Sequence, residues 1–218
     1  MSSQAAIPCR ERGSALVEFV LCMSLFWVPL FFGMAVLGFG LVRAMEVTQV
    51  CRDVGHIYAN TPAIPQANLQ TLLSSLATSM NLTSSGNSFI VLSTITYVDA
   101  NDCQGANLIA DSAHCPNMNN YVFMRQVTIG NSTLGLTGTP AFKSAFGTPA
   151  SNIQDSTGTI SQTNYLTASS ALVTNFPVTG ITLVHGQWSY VSEMFAMPLQ
   201  PIVWSQLSNP VVSARSFF

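Results

Sequence analysis

The hydrophobic residues of this chain are concentrated in one long segment near its amino end. Residues 19–42 form a run of 24 positions without a charged side chain. As an α-helix this run is about 36 Å long, whereas the hydrocarbon core of a bilayer is about 30 Å thick. A cleavable secretory signal would have a shorter apolar core, and a buried core helix would need a larger and less polar domain around it. We therefore predict a transmembrane helix over residues 14–43.

The helical pattern continues after Arg43. Apolar residues recur at helical spacing until Pro62 and Pro65 interrupt the chain. The continuing positions are Ala44, Val47, Val50, Cys51, Val54 and Ile57. A second, amphipathic helix is predicted over residues 66–80. Its apolar face consists of Leu69, Leu72, Leu73, Leu76 and Met80.

Alternating apolar and polar residues predict strands in the rest of the chain, at residues 88–98, 121–129, 182–191 and 211–218. In the third segment Val184, Trp188 and Tyr190 would share one face, and His185 would be a structural histidine of that strand. Helices followed by strands indicate an α+β fold, with an antiparallel sheet resting on the outer part of the first helix. Residues 133–179 lack periodicity, so we expect an irregular region there, either a passive excursion or exposed loops that make a surface contact.

The composition narrows the possible partners. Charged residues make up 7% of the chain and the net charge is −2. Lys143 is the one lysine, and the basic residues form no run except at Arg10 to Arg12. A nucleic-acid partner is therefore not expected, because phosphate binding needs a basic surface. Beyond about residue 60 the sequence is rich in Ser, Thr, Asn and Gly, which suits a polar domain outside the membrane.

The distribution of arginines predicts the orientation of the membrane helix. Arg10 and Arg12 precede the apolar run, and positive residues favour the cytoplasmic side. Arg43 and Arg52, on the far side, weaken this tendency without reversing it. We expect a cytoplasmic amino end of residues 1–13 and an extracytoplasmic domain of residues 44–218.

One carboxylate lies near the start of the apolar run. Glu18 follows Gly13 and Ser14 by about one helical turn. A charged group within a bilayer costs free energy, less near the ends of the span than at its centre. Glu18 is either a local helix feature, favoured by the helix dipole and able to snorkel, or a partner for a new amino group on Ser14 after cleavage behind Gly13.

These residues carry a resemblance to a known family. The stretch from Arg12 to Phe19, with Gly13 before a short apolar segment and Glu18-Phe19 opening the helix, resembles the TadE-like pseudopilins of tight-adherence, type IV-like pilus systems. The resemblance implies that residues 1–13 are a leader removed by a prepilin peptidase, with Gly13 and Ser14 as the processing site. It also implies a non-enzymatic role in pilus biogenesis and surface adhesion, with other pilins and assembly proteins as partners.

The cysteines differ by location. Cys9 lies in the leader, Cys22 in the predicted span and Cys51 on the helix extension. Cys103 and Cys115 enclose a polar loop in the predicted outer domain, where an oxidising compartment favours a disulfide. A zinc site of Cys103, Asp111, His114 and Cys115 is the alternative, and the absence of a second close cysteine pair counts against it.

No catalytic or cofactor motif was found: the sequence contains no nucleophile elbow, phosphate-binding loop or His-Glu-x-x-His. We therefore expect no enzyme, no cofactor and no metal. Two functions stay open. The first is a pilin-like subunit in the bacterial inner membrane, which becomes extracellular if it enters a pilus. The second is an uncleaved, single-pass anchor for an extracytoplasmic binding or sensing domain.

Overall fold

The structure is a computed structural model. It describes residues 11–61, 68, 71–73, 75, 80–134, 143–197 and 211–218, with side chains from residue 15 onward. These residues form a long amino-terminal helix and a four-stranded sheet with short helices in its connections.

The first helix, α1, spans Glu11–Asn60 and continues through Pro29. From residue 15 to residue 42 its side chains are exposed, except that Val36 is half-buried. This part of α1 is long and apolar enough to cross a membrane. From Arg43 onward, buried positions recur every three or four residues. The predicted continuation of the helix beyond Arg43 is confirmed.

The sheet is antiparallel throughout, with strand order β2-β1-β3-β4. Its strands are β1 at Ser88–Tyr97, β2 at Tyr121–Gly130, β3 at Trp188–Ala196 and β4 at Val212–Phe217. Two short α-helices, α2 at Ala100–Gly105 and α3 at Gln162–Thr167, and two 3-10 turns, Ser151–Ile153 and Ser169–Ala171, lie in the connections. The predicted α+β class with an antiparallel sheet is confirmed.

The main core lies between the carboxyl-terminal part of α1, from Arg43 onward, and one face of the sheet, as the sequence predicted. The helix contributes a stripe of side chains at helical spacing, and the sheet contributes the alternate residues of three strands. The buried residues of this layer include Val47, Cys51, Val54, Tyr58, Ile90, Leu92, Val127, Ile129 and Met194. The Tyr58 hydroxyl is satisfied by a hydrogen bond with Thr94 Oγ1 of 2.9 Å.

A glycine permits the close approach of α1 to the sheet. Gly55 is buried, and a Cβ atom at this position would lie 2.7 Å from Ser192 Oγ and would also overlap the ring of Phe218. Any larger residue would therefore push α1 away from β3 and the end of β4.

The other face of the sheet carries a second core, formed with residues 143–178. Phe123, Phe146, Ile160 and Val191 are buried together there. The predicted irregular region, residues 133–179, is therefore partly packed: it supplies α3 and both 3-10 turns, and residues 135–142 lie outside the described part.

The third predicted strand is misplaced. Residues 182–187 are not a strand, and β3 begins at Trp188 and extends to Ala196. Gly186 adopts φ +75°, which forms a turn before the strand. Val184 is 59% exposed, and His185 lies in the turn rather than in a strand.

The second predicted helix, residues 66–80, falls largely outside the described residues. The positions that are described within it, residues 68, 71–73 and 75, are helical. Leu73 and Met80 are buried, but Leu72 is 44% exposed, so it does not belong to the buried face on which the sequence placed it.

This difference between adjacent leucines gives a test of the packing. Leu73→Ala should lower the free energy of unfolding by about 2–5 kcal/mol, because it removes buried atoms from the core. Leu72→Ala is the matched control and should change stability by no more than about 0.5 kcal/mol. Urea unfolding of the detergent-solubilised chain, followed by near-ultraviolet circular dichroism, measures both. Equal losses would contradict the burial of Leu73.

Candidate functional site

The predicted processing site lies inside α1. Gly13 and Ser14 follow the start of the helix at Glu11, so the predicted boundary between leader and span is not the end of a secondary-structure element. Glu18, four residues after Ser14, is exposed, as are its neighbours on the helix. Residues four apart lie on the same side of a helix, about 6 Å apart along its axis. This geometry places Glu18 one turn from the predicted new amino terminus.

The structure brings the two predicted disulfide cysteines together. Cys103 on α2 and Cys115 are joined, with their Cα atoms 6.1 Å apart. Both are fully buried and pack with Val98, Val122 and Leu166. Zinc coordination through these sulfurs is therefore not the arrangement present.

Asp111 and His114, the other members of the zinc alternative, contact each other. The main-chain N–H of His114 donates to Asp111 Oδ1 at 2.8 Å, and the His114 ring nitrogen Nδ1 lies 2.9 Å from the same oxygen. The hydrogen bonds from His114, first from its N–H and then from its ring, lower the pKa of Asp111. The pair closes the turn that leads into Cys115.

A second cluster lies beside the disulfide. His185 Nδ1 is 3.0 Å from Asp99 Oδ1 and 3.3 Å from Asp102 Oδ2. Within the described part of the chain, these three residues have ligand atoms close enough to share a metal ion, all within 4.8 Å of one another. Both carboxylates are already engaged, because Asp99 and Asp102 form a capping box at the start of α2. The cluster therefore ties the turn before β3 to α2.

A buried carboxylate on β3 holds the connection at residues 143–147 against the sheet. Glu193 is 1% exposed and accepts hydrogen bonds from the Ser144 hydroxyl, the Ala145 N–H at 3.1 Å and Arg215 Nε at 3.0 Å. The guanidinium of Arg215 also lies over the ring of Phe146, 4.8 Å from its centroid. Because the charge is paired and hydrogen-bonded, it is tolerated in the interior. Sequence reasoning missed this group, since its partners are distant in the chain.

The environment of Cys51 is that of a buried core residue. Its thiol is buried between α1 and the sheet and donates to Ser192 O at 3.3 Å. Burial raises the pKa of Cys51, which keeps the thiol protonated and unreactive. Cys51 is therefore a core residue of the helix–sheet interface.

No family model, curated protein or solved structure matches this chain. The interpretation of the site therefore depends on the geometry of the chain and on the residues at the start of α1.

The pairing of Cys103 with Cys115 gives a prediction for the purified protein. We expect a peptide that contains both cysteines in a non-reducing digest of protein purified without reductant, because the two sulfurs are adjacent and shielded from water. Cys51 and Cys22, which are not paired in the structure, serve as internal controls and should be alkylated after unfolding. Alkylation of Cys103 and Cys115 without reduction would contradict the bond and the extracytoplasmic location expected from the sequence.

Proposed function

We propose that this chain is a minor pilin or pseudopilin of the TadE-like kind: a non-enzymatic subunit in pilus biogenesis, anchored in a bacterial inner membrane by residues 14–43. The observation that carries the proposal is the dual character of α1. One uninterrupted helix is apolar and exposed over residues 15–42 and forms the core of a folded domain from Arg43 onward. In this proposal the exposed part is covered by lipid and by the helices of neighbouring subunits.

Contacts of Arg43 fix the junction between the exposed, apolar part of α1 and the part that packs on the sheet. Arg43 is fully buried, its Nε donates to the carbonyl of Met197 at 3.3 Å, and its Nη1 lies 3.3 Å from Glu46 Oε2. Met197 directly follows β3. Because this contact joins the end of the apolar segment to the sheet, the outer domain is held at a defined height above the proposed membrane surface. A filament subunit needs such a rigid connection, whereas a flexibly tethered sensor does not.

The orientation follows from charge. Arg10 and Arg12 precede the span, and positive residues favour the cytoplasmic side. The outer domain would then be extracytoplasmic, where the Cys103–Cys115 bond is stable. In this proposal a prepilin peptidase on the cytoplasmic face cuts after Gly13.

Glu18 supplies the assembly contact in this proposal. A carboxylate on the exposed, apolar part of α1 gains most when a cation enters the same low-dielectric layer. Cleavage before Ser14 creates such a cation one turn away on the same chain, and a neighbouring subunit could present its own. Glu18 would then hold helices in register rather than stabilise the outer domain.

The first prediction of this proposal concerns processing. Mature protein should begin at Ser14, and Gly13→Leu should leave a longer species, because a bulky residue no longer fits the site before the cut. Gly38→Leu is the matched control and should be processed normally, since a side chain at Gly38 meets no other atom within 4 Å. Intact mass and amino-terminal sequencing measure the result. An unprocessed amino terminus on protein taken from assembled pili would refute the pseudopilin function and favour the uncleaved membrane-anchored domain.

The second prediction concerns the carboxylate. Glu18→Gln should insert and fold normally but reduce recruitment into the pilus machinery by more than about tenfold. A reduction of that size exceeds what a helix-dipole effect of about 1 kcal/mol would produce. Glu11→Gln is the control, because it removes the same charge from the leader that is cut away. Pilus yield per cell, normalised to the amount of membrane-inserted subunit, is the measurement. Wild-type yield from Glu18→Gln would show that the carboxylate is only a local helix feature.

A further inference from the structure

We draw no further inference here: the strongest candidate, the cluster of His185 with Asp99 and Asp102 beside the disulfide, consists of one exposed imidazole and the two carboxylates that cap the six-residue helix α2, and no second feature of the described residues points to a ligand there.

Discussion

The packing of the carboxyl-terminal part of α1, from Arg43 onward, against the sheet is the interaction on which the rest of the structure depends. Val47, Cys51, Val54 and Tyr58 are at most 1% exposed, and they face the central strands. Fully burying such side chains contributes about 1.5–3 kcal/mol each, so this single stripe accounts for much of what holds the domain together. Without it one face of the sheet would lie open to water, and the domain would lose its main core.

The sheet is therefore a middle layer with two unequal covers. One cover is a regular helix that continues far beyond the domain, and the other is the irregular segment of residues 143–178. The irregular cover is held by specific polar contacts rather than by periodic packing. Glu193 binds its start through Ser144 and Ala145, and Gln126 binds its middle through Gly158. This difference explains why a segment without sequence periodicity can still be part of the core.

The elements with a long, regular pattern could be predicted from the sequence. The whole of α1, β1 and β2 follow from the spacing of apolar residues, and Cys103 and Cys115 could be paired from their location. The third strand could not be placed, because Glu193 interrupts its apolar alternation. Its charge is compensated by Arg215 and Ser144, and local sequence carries no sign of that distant pairing.

The candidate site shows the same division between local and distant signals. The motif at the start of α1, with Gly13 and Glu18, can be recognised from the sequence because its residues are contiguous. The contact of His185 with Asp99 joins two loops far apart in the chain. The sequence does indicate the two carboxylates of this contact, because Asp99 and Asp102 have the spacing of a capping box. It does not indicate His185. A contact between residues that are distant in the sequence, such as His185 and Asp99, can be identified only from the folded structure.

In the proposed function, α1 links the assembly contact at Glu18 to the sheet. Glu18 and Gly55 are separated by about 56 Å of continuous helix, and α1 has no described break between them. In the proposed function, a contact that holds Glu18 against a neighbouring subunit therefore also fixes the height of the sheet above the membrane.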